Sequence, residues 1–435
     1  MTDLLAISAI ALFLLLLLVA LSVIKKAGQT GSETTRKVVH IGLGLICLSF
    51  PWVFSSFLPV LLLCVISLVF LLYVRREDSG LRGVLHGVSR ESHGDLYFPI
   101  AVTLLFFLHT DPIIQYIIPL LLLTLADAMG ALIGVRYGKS HYTTDDGLKS
   151  VEGSVAFFLI AFLSTHIVLL LGTDTGRLES LLISVIIGLL VMLVEAISWR
   201  GLDNLFIPLG AYLLLDVYLQ MGAADLGLRI FILAVIGLFF LLLAQRSFAR
   251  SGTLLAGLLT LYLIWGLGGW KWAIPPIAFA LSYSLLCPRG QPDFHNRHRL
   301  LDLGAVAGGG LCWLFLSMAY NRPELALPFT LSWAAQTAIT VTAFVAWKQP
   351  GTPSLTIAFT GGLVGLALYA LPLILILPLP LQPGMLPLLF VSGALAATFL
   401  WIGEWKRFGT TLEPNRPWRQ LGYGLIASSP GLLLL

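Results

Sequence analysis

The sequence predicts an all-α polytopic membrane bundle of roughly 14–16 spans. Three observations point there: composition, recurring apolar runs, and the alternation of basic loops. The 435 residues are 58% hydrophobic and only 11% charged, with mean hydropathy +0.93. An ordinary soluble domain is about half apolar and about a quarter charged. Apolar runs of roughly 18 or more residues recur, each long enough to cross about 30 Å of hydrocarbon.

Taken in order, the first run, LLAISAIALFLLLLLVALSVI, has no basic residue before it and is longer than a signal-peptide core. It is expected to be a retained span at 3–24. Further spans are expected near 38–56, 58–74, 96–110, 113–135, 152–172, 180–198, 204–221 and 227–245. The remainder fall near 252–268, 271–287, 302–320, 326–346, 353–380, 384–402 and 420–434. Loops on one side then carry most of the Lys and Arg, from Lys25 and Arg36 through Arg200 and Arg250 to Arg419. The other side carries only Arg177, Arg229, Lys271 and Arg322. The excess of basic residues on the inner side makes the first face cytoplasmic and the N-terminus external. Net charge is +4, and no nucleic-acid footprint is visible. Cys47, Cys64, Cys287 and Cys312 fall inside expected spans without CxxC spacing and read as packing residues.

Polar residues are unevenly spread. They crowd the basic-side loops between Arg36 and Asn204 and thin out after Arg250. The junction is expected at QRSFARSGT (245–253), separating a catalytic half, 1–245, from a second half, 246–435. Five clusters share the basic face of the first half: RKVVHIGLG (36–44), SRESHGDLYFP (89–99), ADAMGALIGVRYGK (126–139), GLKSVEGS (147–154) and EAISWRGLDNLFIPLG (195–210).

Asp127 lies inside an apolar run, where a carboxylate costs a few kcal/mol, roughly, and is functional or paired. Glu195 is costly for the same reason. Gly130, Gly134 and Gly138 follow at spacing four and form one smooth helical face. That face admits either a phosphate chain or another helix. Lys139 follows directly, and Lys149 can compensate phosphate charge. Ser150 can cap the helix starting near Val151, whose free N–H groups suit an anion. Glu152 can hold a cation or orient Lys149, while Gly153 and Ser154 leave room for close approach. Asp203 and Asn204 add a carboxylate and an amide that suit a hard cation such as Mg2+. His40, three residues after Lys37, marks a span entrance.

These groups supply acids for a metal, bases for phosphates and a helix N-terminus beside a bilayer that could deliver a lipid. Phosphoryl transfer needs little beyond such positioning and charge neutralisation. The chain has no GxxxxGK[ST] and no protein-kinase signature set.

ADAMGALIGVRYGK, KSVEGSVAFF and VEAISWRGLDNLFIPLG, in that order, resemble the membrane-embedded polyprenol kinases, which include phytol, farnesol and dolichol kinases and are related to phosphatidate cytidylyltransferase. RKVVHIGLG and SRESHGDLYFP match the upstream pattern, so the resemblance covers roughly residues 30–220. It implies phosphate transfer from CTP, or another nucleotide, to an isoprenoid alcohol such as phytol entering from the membrane. It further implies that Asp127 ligands Mg2+, that Lys149 and Glu152 belong to the nucleotide-phosphate site, and that Asp203 and Asn204 complete it. Either Asp127 or Glu152 would accept the hydroxyl proton. Where family members often carry a second acidic or polar residue before the motif Asp, this chain has Ala126.

RSGTLLAGLLTLYLIWGLGGWKWAIPPIAFALSYSLL (250–286) and RHRLLDLGAVAGGG (297–310) resemble the phytyl-phosphate kinase-like membrane family. At its acidic motif this chain has AAQTAITV (334–341), with Gln336 and Val341 in place of carboxylates. The second half is therefore expected to be non-catalytic. Two other functions fit parts of the pattern. A cytidylyltransferase would use the same nucleotide, but GLDNLFIP replaces its usual acidic cluster. A transporter would use the intramembrane acids, but the polar residues gather at one face rather than at the midplane.

Overall fold

A computed structural model of the chain describes residues 6–10, 12–13, 32–75, 93–109, 113–145, 147–246, 251–286, 300–348, 356, 359–365, 367–369, 385–404 and 416–434. The expected span at 3–24 and that at 353–380 lie largely outside the described residues, as do Cys287 and part of the 245–253 junction. The chain divides into two compact units, Met1–Ile232 and Leu233–Leu435.

In the first unit, α1 (Ser32–Leu48) is followed by a one-turn helix, α2 (Phe57–Val74) and α3 (Gly94–Leu108). A continuous rod then runs through α4 (Ile114–Leu121), a π-helical turn (Leu122–Ala126) and α5 (Asp127–Tyr137). A hairpin of β1 (His141–Thr144) and β2 (Gly147–Ser150) leads into α6 (Val151–Gly172), α7 (Arg177–Ile197) and α8 (Asp203–Tyr218). Helix α9 (Ala223–Arg246) contains the division between the units.

Two helices begin on residues suited to a helix N-terminus. Ser150 caps α6, its Oγ accepting from Gly153 N at 3.1 Å. Asp95 sits in the first turn of α3, where a carboxylate suits the positive end of the helix dipole. At 22 residues, α6 is about 33 Å long, enough to cross hydrocarbon. The core beneath α1 to α4 is aromatic and aliphatic: Phe50, Phe98, Leu105, Phe106, Tyr116 and Leu120 are buried together.

The second unit contains α10 (Ser251–Gly268), α11 (Trp270–Leu286), α12 (Leu300–Tyr320), α13 (Ala326–Lys348), α14 (Met385–Glu404) and α15 (Arg416–Ser428). Helix α13 is central and packs against α11, α12, α14 and α15. It is buried nearly all round, with Phe329, Leu331, Ala334, Ala335 and Ala338 fully covered.

Among the described residues, eight helices are long and apolar enough to cross a membrane, among them Phe57–Val74, Ile114–Tyr137, Val151–Gly172 and Arg177–Ile197. The all-α polytopic bundle holds, with eight such helices among the described residues against the roughly 14–16 spans expected, and with two local differences. The hairpin between α5 and α6 was not expected. The expected span at 420–434 is instead the 13-residue α15 followed by a 3-10 turn at Ser429–Leu434. Thirteen residues rise only about 20 Å, short of a crossing.

Candidate functional site

The expected site residues lie at one end of the first unit's helices: near the start of α1, in α5, in the hairpin, at the start of α6, at the end of α7 and at the start of α8. Two ion pairs organise them.

The first joins α1 to α5. Lys37 Nζ donates to Asp127 Oδ2 at 2.7 Å and approaches the Asp127 carbonyl at 3.4 Å. The two side chains are 3% and 8% exposed, so each charge depends on the other for compensation. His40 Nε2 lies 3.4 Å from the same carboxylate oxygen and 2.8 Å from the Leu123 carbonyl. Leu123 belongs to the π-helical turn, where the wider winding frees carbonyls that an α-helix would occupy. Gly44 lets α1 approach this turn closely, because a side chain there would collide with Thr124. Lys37, His40 and Gly44 are spaced i, i+3, i+7 and so share one helical face, the face turned to the π turn and Asp127.

The second pair joins the hairpin to α7. Lys149 Nζ lies 2.9 Å from Glu195 Oε1 and also donates to the Glu195 carbonyl. The hairpin presents Lys149 opposite Tyr142, and Tyr142 OH is 2.7 Å from Ser154 Oγ. Burial works against the Lys149 ammonium, but the Glu195 carboxylate outweighs it and, with Asp203, holds the Lys149 pKa above its ordinary value. Burial pushes the Tyr142 phenol up as well, partly offset by its hydrogen bond with Ser154.

Asp203 lies within electrostatic reach of Asp127, Lys149, Lys37 and Glu195, the members of both pairs. Its Oδ1 accepts from Asn204 N at 3.0 Å, and among the described residues its carboxylate makes no ion pair. Buried Asn204 donates through Nδ2 to the Gly94 carbonyl at 2.8 Å. His93 N donates to the Arg200 carbonyl at 3.0 Å. These two bonds tie the start of α3 to the first turn of α8 and to the loop before it. That loop turns through positive φ at Arg200 (54°) and Gly201 (85°).

Other expected site residues have different surroundings. Glu152 accepts from Ser140 N at 3.1 and 3.3 Å through its two oxygens, while Lys149 pairs with Glu195. Ser150 Oγ is taken up by capping α6. Lys139 is exposed. The glycine stripe is filled by protein. A Cβ on Gly153 would sit 2.8 Å from Gly130 O and 3.0 Å from Gly134 Cα, and one on Gly134 would sit 2.9 Å from Ser150 Oγ. Helices α5 and α6 therefore pack backbone to backbone, which leaves no room between them for the expected phosphate chain at Gly130, Gly134 and Gly153.

Mg2+ takes one or two carboxylates and completes its shell with water and substrate phosphates. Asp127 and Asp203 fit that partial donor set, with Asp203 the carboxylate not engaged by a cation. Among the described residues, no three His, Cys, Asp or Glu side chains gather into a protein-only cage.

Sequence reasoning missed the partners. In the sequence Lys37 stands out only as the neighbour of His40, and Tyr142 carries no signal of its own. A buried carboxylate demands a cation, and Lys37 shares a helical face with His40; that was the available signal.

Over 227 residues the chain is 28% identical to a phytol kinase from a Synechocystis strain, a match covering 50% of this chain and 94% of that relative. The match supports a family relationship with the phytol and polyprenol kinases. No family model matches the chain. No solved structure matches it.

Proposed function

We propose that this chain, related over half its length to a phytol kinase, is an integral membrane kinase that transfers a phosphate from CTP to an isoprenoid alcohol such as phytol. The observation that carries the reading is the two lysine–carboxylate pairs, Lys37–Asp127 and Lys149–Glu195, formed among the polar segments of the first unit, with Asp203 feeling the charge of both. The family motifs lie within the first unit, which is long enough to hold nearly the whole of such an enzyme. In this reading the site faces the cytoplasm, as the basic loops require.

The chemistry asks little beyond placement and charge. Lys149, held by Glu195, neutralises phosphate oxygens. Asp203 and Asp127 are the residues that would hold Mg2+, which when bound would draw off charge developing on the phosphates. The alcohol enters sideways from the bilayer, its chain in lipid and its hydroxyl at the cluster. Glu152, tied to Ser140 N in the hairpin's lead-in, supports the loop that carries Lys149. The second unit is a non-catalytic half. At the position of the expected acid it has Gln336, fully buried and bonded to Gln420.

The test is incubation of purified protein in lipid with γ-labelled CTP, Mg2+ and phytol, farnesol or a long polyprenol, beside Lys149→Ala. A labelled prenyl phosphate that disappears in Lys149→Ala is the expected result. A CDP-lipid made from phosphatidate and α-labelled CTP, with no prenyl phosphate, would replace the kinase by a cytidylyltransferase. No product from either would overturn the enzymatic reading in favour of a transporter or a degenerate scaffold.

A further inference from the structure

We propose that Lys37 is a second phosphate-holding residue of the nucleotide site, its ammonium resting on Asp127 until a phosphoanhydride draws it away. The proposal rests on the kinase reading above.

Lys37 is 3% exposed and lies near the start of an apolar span. A buried ion pair there adds little net stability, since apolar side chains of similar size commonly do as well or better. The pair needs another reason. Its surroundings supply one. Two ammonium–carboxylate pairs, Lys37–Asp127 at 2.7 Å and Lys149–Glu195 at 2.9 Å, flank Asp203, which feels the charge of all four groups. Carboxylates suit a hard cation and ammonium groups suit phosphates. Without ligand, the two classes neutralise each other, as Lys37–Asp127 and Lys149–Glu195 do. A metal–polyphosphate ligand presents both charges at once and offers each class a better partner. Several ionised phosphate oxygens compete well with one carboxylate for an ammonium.

The backbone places Lys37 for this role. It shares the face of α1 with His40, which binds the π-turn carbonyl of Leu123, and with Gly44, which seats that face against Thr124. The Lys37 backbone is therefore fixed beside the π turn, and its ammonium sits on a flexible four-carbon stem whose only hold among the described residues is the Asp127 residue it bonds to.

The test is a double-variant cycle read by direct binding, with full-length protein in lipid and EDTA present. The probes are Mg2+-free CTP and inorganic pyrophosphate. In Asp127→Asn the ammonium is no longer held by a carboxylate, so both probes should bind at least threefold more tightly than to wild type. Adding Lys37→Met should abolish that gain and weaken binding at least tenfold relative to Asp127→Asn. Equal affinity in wild type, Asp127→Asn and the double variant would reduce Lys37 to a structural counter-ion. Thermal unfolding checks that each variant is folded. If either neutral variant fails that check, Lys37→Arg serves instead. It keeps the charge and the pair but changes reach and shape, and should shift the Kd for CTP at least threefold at unchanged unfolding temperature. An unchanged Kd overturns the proposal. Tight CTP binding that depends on Lys37, without any prenyl phosphate formed, would leave this site standing and remove the kinase reading. No binding of either probe to wild type would remove both.

Discussion

Lys149 on the hairpin and Glu195 near the end of α7 are 46 residues apart in sequence, yet their side chains meet at 2.9 Å. The ammonium is also held by the Glu195 backbone carbonyl, so one residue fixes Lys149 in two directions. This makes Glu195 the positioning residue for the lysine assigned to the phosphates. Glu195→Gln removes the charge-assisted contact and keeps the backbone one. Hydrogen bonds to charged groups contribute ~1.5–3 kcal/mol, so kcat/KM for CTP should fall about tenfold to a hundredfold. Steady-state kinetics check this, and Lys149→Met added to Glu195→Gln should cost less than it costs alone. Full additivity would show that the pair has no joint role.

The pH dependence has a definite sign. The folded-state pKa of Lys149 is raised above its ordinary 10.5, chiefly because the Glu195 carboxylate outweighs the effect of burial. A raised folded pKa means the pair's stabilisation is fully present below 10.5 and is lost as pH rises through the folded value. The Tyr142 phenol is raised as well. Between about pH 7 and 9 neither group changes charge. The gap in unfolding temperature between wild type and the double variant Lys149→Met/Glu195→Gln, which carries neither charge, should therefore be the same at both ends of that range. A gap that shrinks steadily across it would contradict a raised Lys149 pKa.

Gly153 separates two readings that the sequence left open. Glycines at spacing four suit a phosphate cradle and a helix contact equally, because both need only the absence of a side chain. Coordinates distinguish them. A Cβ on Gly153 would meet Gly130 O at 2.8 Å, whereas one on Gly210 would meet nothing within 4 Å. Gly153→Ala should destabilise by about 1–3 kcal/mol through overpacking, and Gly210→Ala should be nearly neutral. Unfolding curves in lipid decide it. A stable Gly153→Ala that loses CTP affinity would restore the phosphate reading.

The helices were legible because each carries its own apolar run. The expected span at 152–172 and the observed Val151–Gly172 nearly coincide. The hairpin was not legible because its strands are four residues each, too short for alternation to stand out from the apolar background. Only Asp-Asp-Gly after His-Tyr-Thr-Thr hinted at a turn. Asp127 was legible as a residue needing a partner, because a bare carboxylate in an apolar span is costly. Its partner was not legible, because Lys37 lies 90 residues away and no local period connects them. The error at 420–434 has a similar cause. The final leucines inflate the hydropathy of a segment whose Ser428, Ser429, Pro430 and Gly431 end the α-helix.

Gln336 tests the division of labour between the units. It is fully buried in α13. Its Nε2 donates to the Gln420 carbonyl at 3.2 Å, and its Oε1 accepts from Gln420 Nε2 at 2.9 Å. Gly424 on α15 leaves the space its amide occupies. The side chain is thus committed to joining α13 and α15, which is a structural duty. Gln336→Leu leaves the Gln420 amide and carbonyl without this partner, at a cost of about 1–3 kcal/mol. The expected outcome is a lower unfolding temperature with kcat and the KM for CTP unchanged. Gln336→Glu is the sharper variant, because it restores a carboxylate while keeping the shape. If the second unit only supports the first, Gln336→Glu should destabilise and add no new product. A new phosphorylated lipid from Gln336→Glu, or a loss of kcat in a folded Gln336→Leu, would place catalysis in the second unit as well.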